Sequence, residues 1–183
     1  MTATPETHDG PVEALYEDYC VLRDDLSTRS PSGLAALNRS YHKVLLIAAA
    51  SSLESQVKKY LAAAFEEKGG GILAAFLEKR VLARNYHTMF DWQKEKAKPF
   101  FSSFGQDCGK NFAAQIRSNP DFAEQHSAFM RIGSLRNGLV HQDYATFSLE
   151  YTPEDLIKMY RLAREFPNNF ERLIFEEVAV ADV

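Results

Sequence analysis

A run of helical hydrophobic spacing dominates the first half of this 183-residue chain. Across residues 34–65, apolar side chains recur every three or four positions, and this spacing predicts one long α-helix. Residues 44–50 are apolar in every direction around that helix, which indicates burial on several sides. Pro31 precedes the run and three glycines, 69–71, follow it, so we expect the helix to end at the glycines.

The rest of the chain also has a helical composition. Leu and Ala together number 40, whereas the strand-favouring Val and Ile number 15. Capping residues and prolines predict further helices that begin near Pro11, Asp121 and Pro153. Residues 85–105 differ, because they are irregular and carry six aromatic side chains. We therefore expect an all-α fold, an up-and-down bundle of four to five main helices with a short aromatic-rich insert.

The length predicts one domain, which we place at residues 11–178 between tails at 1–10 and 179–183. The two cysteines, Cys20 and Cys108, form no CxxC or zinc-type spacing, so a reducing compartment is expected. The N-terminus has no basic segment followed by an apolar core, and the longest apolar run is only seven residues. These features predict a cytoplasmic protein that does not bind a membrane.

Charge is unevenly distributed along the chain, whose net charge is −4. Residues 68–118 carry nine basic and four acidic side chains, whereas acidic side chains outnumber basic ones on either side. The negative net charge argues against broad, nonspecific binding of nucleic acids. The basic middle is either a local anion-binding face or an ordinary solvated helical surface. Within it, Lys94, Lys96 and Lys98 are the best candidates for contacts with phosphates.

Common catalytic and metal-binding motifs are absent from the sequence. It has no HExxH, P-loop, Gly-x-Ser-x-Gly or strand-linked GxGxxG pattern, and its five histidines show no metal-ligand spacing. We therefore expect neither a bound metal nor a cofactor. One constellation, RNGLVH, instead places Arg136, Asn137 and His141 at the end of an apolar helix.

The residues alone leave two interpretations of this motif open. In the structural one, Arg136 forms an ion pair with a carboxylate such as Glu54. Asn137 then satisfies backbone groups and His141 caps the helix. In the chemical one, the three side chains form a site with an acid–base His and a phosphate-binding Arg. Arg136 and His141 lie about 140° apart around a helix, so they converge only if the helix bends or a second copy faces it.

The motif resembles the R-N/D/H-x3-H signature of the HEPN superfamily. Within that superfamily, the chain is most similar to the RiboL-PSP-HEPN-like branch. Two more segments carry the resemblance, HKVLLIAAASSLESQVKKYL on the long helix and NYHTMFDWQKEKAKPFFSSFG in the aromatic stretch. The resemblance covers roughly residues 41–170, which is most of the chain.

The resemblance implies a helical homodimer with the two Arg–His motifs at its cleft. It implies a metal-independent endoribonuclease of toxin–antitoxin or phage-defence systems that acts on RNA, with tRNA and mRNA both candidates. A further partner would be an antitoxin or defence protein. Arg136, Asn137 and His141 match the signature and take the catalytic roles, with Glu54 as a supporting residue. The alternative is a non-catalytic HEPN module that binds RNA or a partner protein, and a third is a helical interaction protein with an accidental motif.

Apolar and aromatic residues near these segments have expected structural roles. In the homodimer, Leu135, Leu139 and Val140 are predicted to supply the contact that holds the two motif helices together. In the aromatic stretch, His87 and Trp92 are interpreted as packing residues.

Overall fold

The computed structural model describes residues 10–175, apart from the side chains of residues 81–85. The predicted tail at 1–10, except Gly10, and the predicted tail at 179–183 therefore lie outside the described residues, as does the end of the predicted domain. The elements in chain order are α1 (Pro11–Arg29), α2 (Pro31–Leu77), a π-helical turn (Glu78–Leu82), α3 (Ala83–Met89), α4 (Lys98–Ser102), α5 (Gln106–Ser118), α6 (Pro120–His141), α7 (Pro153–Ala163), a 3-10 turn (Phe166–Asn169) and α8 (Phe170–Phe175).

These elements are helical throughout, which confirms the predicted all-α bundle, and α2 is its centre. α2 packs against α1, α6 and α7, and α6 packs along α7. A proline occupies the first turn of all four helices, where its fixed φ fits and its missing N–H is not needed. The core between the helices consists of fully buried apolar side chains, among them Leu45, Leu46, Leu53, Leu61, Phe129, Met130, Ile132 and Leu139.

α2 changes direction at Gly70 and continues. Gly70 has φ 75° and ψ 167°, a conformation that is open to glycine and strained for other residues. Helical geometry resumes after the kink and reaches Leu77, so α2 consists of two helical segments, and the break between them lies at the glycines where the first was predicted to end. Beyond the kink Leu77 is buried, whereas Leu73 and Phe76 are exposed. Within residues 10–175, no helix is both long and apolar enough to cross a membrane.

The aromatic-rich insert packs its rings against one another and against α6. A tight turn, closed by backbone hydrogen bonds in both directions between Asp91 and Lys96 (3.1 and 3.0 Å), leads into α4. Phe90 and Trp92 flank Asp91, the first residue of this turn. Their ring centroids lie 5.0 Å apart. Both rings also contact Phe129 of α6. The insert therefore fixes the loop before α4 against the helix that carries the Arg–His motif.

Two helix boundaries near prolines differ from the prediction. α6 begins with Asn119 as its N-cap in place of Asp121, and the Asn119 side chain accepts a hydrogen bond from the Phe122 N–H (3.1 Å). The predicted last helix is divided, because α7 ends before Pro167 and α8 begins after it. Pro167 therefore lies in a break between two helices.

One buried carboxylate joins α1 to α7. The side chain of Glu13 is only 3% exposed and accepts two hydrogen bonds from Arg161, at 3.1 Å from Nε and 2.8 Å from Nη2. Arg164 lies 3.9 Å from the same carboxylate. The paired, bidentate geometry offsets the cost of burying the charge and fixes α1 against the bundle.

Candidate functional site

Arg136 lies at a junction between α6 and α3. Its side chain is partly buried, about one and a half turns before the end of α6. The Nη1 atom donates to Nδ1 of His87 (3.3 Å) and to Oδ1 of the neighbouring Asn137 (3.2 Å). A guanidinium carries five N–H groups, so these contacts fix its plane and leave further donors for an anionic ligand.

The contact with Arg136 also defines the role of the His87 ring. An arginine only donates hydrogen bonds, so Nδ1 of His87 is the acceptor in this contact. The tautomer that makes the contact carries its N–H on Nε2. Because the imidazole is exposed, this Nε2–H is available to a bound ligand. The sequence predicts a packing role for His87, and the structure instead brings it to the motif.

Arg136 lines a small pocket between α2, α3 and α6. Glu54 and Tyr86 lie on its walls, and the buried Trp92 and Phe129 close its apolar side. Its volume is about 20 Å³, which is enough for roughly one water molecule. The pocket therefore surrounds the Arg136 side chain closely and has no room for a nucleotide.

Glu54 lies in this pocket but pairs with a different cation. Its Oε1 accepts a hydrogen bond from Lys58 Nζ at 2.5 Å, an i,i+4 pair within α2. The ion pair between Glu54 and Arg136, which the sequence suggested, is not formed. Glu54 acts on Arg136 only through the charge that it places in the same pocket.

Tyr86 stands between these charges as a neutral phenol. Its side chain is buried, and burial raises the pKa of Tyr86 far above its usual value. The negative charge of Glu54 raises this pKa further, and the positive charge of Arg136 lowers it. Lys58 Nζ lies 5.8 Å from the centre of the ring, within cation–π distance. The hydroxyl therefore keeps its proton at any physiological pH.

His141 lies in a larger groove on the other side of the same helix end. The groove has a volume of about 590 Å³ and is also lined by His87, Asp91 and Asn137. Arg136 does not line it, which agrees with the angle of about 140° between positions 136 and 141 on a helix. α6 keeps its hydrogen bonding through to His141, so the helix does not bend to bring the two side chains together.

His87 and Asn137 connect the two cavities. Both side chains line the small pocket around Arg136 as well as the groove with His141. The site of one chain therefore offers two imidazoles, one amide and one fixed guanidinium at neighbouring positions. Arg136 and His141 are not within hydrogen-bond distance of each other.

The three candidate lysines have different surroundings. Lys94 is 3.9 Å from the Asp91 carboxylate at the edge of the groove, so part of its charge is compensated. Lys96 and Lys98 line a separate recess between α5 and α6. As a group, the lysines therefore extend away from the Arg–His motif and do not surround it.

Gly133 shapes the floor of the small pocket. A Cβ at this position would overlap the six-membered ring of Trp92, so only glycine allows the indole to lie against α6. Trp92 is further fixed by its Nε1–H, which donates to the His87 backbone oxygen (3.1 Å). The contacts from Gly133 to Trp92 and from Trp92 to His87 fix the position of His87 opposite Arg136. No spacing rule in the sequence predicts a close approach between positions this far apart.

Exposed apolar side chains lie beside the motif. Val140 and Tyr144 are 46% and 48% exposed, and Val44 and Ile47 of α2 are 42% and 37% exposed. Lys43 Nζ donates to the Tyr144 backbone oxygen (2.7 Å), so the first part of α2 runs alongside the end of α6. The predicted dimer contact of Leu135, Leu139 and Val140 is wrong for Leu139, which is 1% exposed and belongs to the core, and Leu135 packs against that core.

The site contains three residue types that are able to bind a metal, His, Asp and Glu. In the described part of the chain, however, no three His, Cys, Asp or Glu side chains come together in a group that could hold a metal ion. His87, His141 and Asp91 line one groove without forming such a group.

Comparison with known proteins gives one match. The family model described as RiboL-PSP-HEPN matches residues 20–176, which is most of the chain. The match covers the whole of α6 and the elements that place His87 beside it. No curated protein and no solved structure matches the chain significantly.

Proposed function

The chain belongs to the RiboL-PSP-HEPN family, and from this premise we propose that it is a metal-independent endoribonuclease. The observation that carries the proposal is the fixed position of Arg136. Its guanidinium is fixed by His87 and Asn137 directly beside a groove that contains His141. A cationic fork beside two imidazoles is the set of groups that cleavage of an RNA phosphodiester requires.

The reaction uses the nucleophile that RNA itself carries. One imidazole takes the proton of the 2′-OH as the 2′-oxygen attacks phosphorus. The bond from phosphorus to the 5′-oxygen then breaks, and a second imidazole gives that oxygen a proton. The products are a 2′,3′-cyclic phosphate and a 5′-hydroxyl. Arg136 neutralises the charge that develops on the phosphate oxygens, and Asn137 orients the guanidinium through its Oδ1.

His141 is the acid–base group in this proposal, and the partner copy of the chain completes the site. Within one chain, Arg136 and His141 line different cavities, so a single phosphate does not reach both. In a two-fold dimer built on the ends of α6, His141 of one chain approaches Arg136 of the other. The exposed Val44, Ile47 and Val140 beside the motif provide the apolar contact for such a dimer.

The biological role follows from the family alone. We propose that the protein acts as a toxin or phage-defence effector in the cytoplasm, with tRNA or mRNA as its substrate. An antitoxin or defence-system partner would control it. The alternative is a non-catalytic HEPN module that binds RNA or a protein partner. An assay of RNA cleavage distinguishes this module from an active ribonuclease.

The test is an assay of RNA cleavage with EDTA present. Purified protein is incubated with total RNA and with a labelled single-stranded oligonucleotide, and the ends of the products are identified. We expect cleavage to persist and to leave 2′,3′-cyclic or 3′-phosphate ends. Cleavage that requires Mg²⁺ would overturn the mechanism, and binding of RNA without any cleavage would favour the non-catalytic alternative.

A further inference from the structure

A second recess lies between α5, α6 and the start of α4. Its volume is about 260 Å³, slightly below the ~300–1,000 Å³ that is typical of ligand pockets. Its walls are apolar and are formed by the side chains of Ala97, Phe112, Ala113 and Ile116. Phe112 is buried and stacks on Phe101 in parallel, so this wall is rigid. The shape and chemistry suit a flat, mainly apolar group.

Three cations surround this recess without anionic partners. Lys96, Lys98 and Arg117 line it, and no carboxylate does. In the part of the chain that the structure describes, none of the three forms an ion pair, whereas Lys94 pairs with Asp91 and Lys110 with Asp107. The uncompensated charge favours a ligand with at least one phosphate or carboxylate beside its apolar part.

A histidine ring completes the wall of the recess. The His126 ring lies edge-on to Phe112 and Phe166 (both 5.4 Å between ring centroids). Burial lowers the pKa of His126 to about 4, so the ring is neutral at pH 7 and adds a flat, uncharged surface to the apolar wall.

The recess and the His141 groove lie on either side of one turn. Lys96 of the recess and Asp91 of the groove are joined by two backbone hydrogen bonds. Along α6, His126 precedes Asn137 by eleven residues, which corresponds to about 16 Å. A single strand of a few nucleotides therefore reaches from one cavity to the other across the turn.

We propose that this recess binds one base of the RNA substrate at a position flanking the cleaved bond. The base lies between the Phe112 wall and the His126 ring, and the cations contact its flanking phosphates. Stacking against flat side chains accepts any base, because every base has a π-face. The inference rests on the proposed ribonuclease function and adds a site that determines which RNA segment enters the groove.

The test measures RNA binding by the full chain that carries His141→Ala, so that the RNA stays intact. A labelled single-stranded oligonucleotide is titrated at several salt concentrations. Adding Lys98→Glu and Arg117→Glu should weaken binding by at least about tenfold and reduce the slope of log affinity against log salt by about 1.4, the value for two phosphate contacts on a single strand. Ala113→Phe, which fills the recess with a ring, should weaken binding without changing that slope.

Lys110→Glu is the matched control. Lys110 lies two turns from Arg117 on α5, is exposed and already pairs with Asp107. Its replacement should leave the affinity within about twofold, because no RNA contact is lost. If Lys98→Glu with Arg117→Glu has no larger effect than this control, the recess does not bind RNA.

Two further outcomes separate this inference from the function on which it rests. If wild-type protein cleaves RNA and the recess variants cleave it with unchanged KM, the recess inference is overturned and the ribonuclease stands. If wild-type protein neither cleaves nor binds RNA, both fail. Inorganic phosphate and adenosine monophosphate serve as competitors, and displacement of the oligonucleotide by phosphate alone at equal strength would contradict a base-binding site.

Discussion

Arg136 donates to Nδ1 of His87 across 3.3 Å and thereby ties α6 to α3. The two residues are 49 positions apart in the chain. The contact combines a permanently charged donor with an acceptor that exists only in the neutral imidazole. It holds the guanidinium in an orientation in which Nη1 also donates a hydrogen bond to Oδ1 of Asn137. Protonation of His87 would remove this acceptor and place two positive charges side by side.

Replacement of His87 tests whether this contact positions Arg136 for catalysis. His87→Ala should lower kcat for RNA cleavage about tenfold to a hundredfold, because a hydrogen bond to a charged group contributes roughly 1.5–3 kcal/mol. His87→Asn keeps an acceptor near the former Nδ1 and should restore part of this loss. Single-turnover cleavage of a labelled oligonucleotide provides the measurement.

His42→Ala is the control for this experiment. His42 is a partly exposed histidine of α2 that contacts the Asn38 backbone oxygen of its own helix and lines neither site cavity. It should cleave at the wild-type rate. If His87→Ala and His87→Asn lose the same activity, the acceptor at Nδ1 does not determine the cleavage rate. His87 would then act through its Nε2–H.

The composite site is tested by mixing two inactive variants. Arg136→Ala and His141→Ala should each lose ~10²–10⁴ in rate while their circular dichroism stays unchanged. After the two are unfolded together and refolded, heterodimers contain one intact Arg–His pair if the two residues act in trans. Activity should then return to at most about a quarter of the wild-type value, since half of the dimers are mixed and each has one such pair.

Sedimentation of the wild type and of an interface variant tests whether the active unit is a dimer. The wild type should be a dimer at the assay concentration, and Val140→Glu, at an exposed apolar position beside the motif, should dissociate it and abolish cleavage together. An active monomer, or mixed variants that stay inactive although they dimerise, would contradict action in trans.

The sequence predicts helices well where local signals decide the structure. Pro11 and Pro153 mark the starts of α1 and α7, because proline fits the first turn of a helix and fits poorly further inside. Glu54 shows the limit of the same reasoning. Its nearest cation is Lys58, one turn along α2, and this local pair forms in preference to the pair with the more distant Arg136.

The parts of the site that the sequence does not reveal depend on long-range packing. His87 reaches Arg136 because the Trp92 ring fits against Gly133, and neither contact leaves a periodic signal. The kink at Gly70 is similar, since three glycines permit a turn, a linker or a kink equally well. In each case the tertiary contacts select one of several conformations that the local residues allow.

Gly133→Ala tests the packing beneath the pocket. The added methyl group would overlap the Trp92 ring, so the indole and the His87 backbone bonded to it must move. We expect a loss of roughly 1–3 kcal/mol in unfolding free energy and a decrease in kcat larger than the increase in KM. Ala128→Gly, also on α6 but outside the pocket, controls for a general effect on the helix. Wild-type kinetics in Gly133→Ala would show that the position of Trp92 does not control the site.

Glu13→Gln should destabilise the fold by about 1–3 kcal/mol, since hydrogen bonds to a charged group are lost while Arg161, 38% exposed, stays partly hydrated. The substitution leaves Arg161 beside a buried amide that cannot neutralise it, whereas the wild-type carboxylate accepts two of its hydrogen bonds. Urea unfolding followed by circular dichroism measures the change. Asp25→Asn removes an exposed ion pair with Arg29 and should cost less than about 1 kcal/mol. If the two variants are equally stable, the buried pair does not fix α1 to the bundle.

Stability should fall with acid because of His126. Burial lowers the pKa of this group to about 4 in the folded state, against about 6.5 in the unfolded chain, and the nearby Glu95 opposes the shift only in part. Between these two values the unfolded chain binds more protons than the folded one, so the unfolding free energy decreases as the pH falls. The shift corresponds to a loss of roughly 3 kcal/mol between pH 6.5 and pH 4.

His126→Phe isolates this contribution, because phenylalanine fills a similar volume among the rings of Phe112 and Phe166 and does not titrate. Urea unfolding of both proteins at a series of pH values gives the difference in stability. Above pH 7 the difference should be constant, since His126 is then neutral in both states. Below pH 6.5 it should shift steadily in favour of the variant, until it levels off near pH 4. Parallel curves across the whole range would mean that the imidazole is reached by water and charges freely in the folded protein.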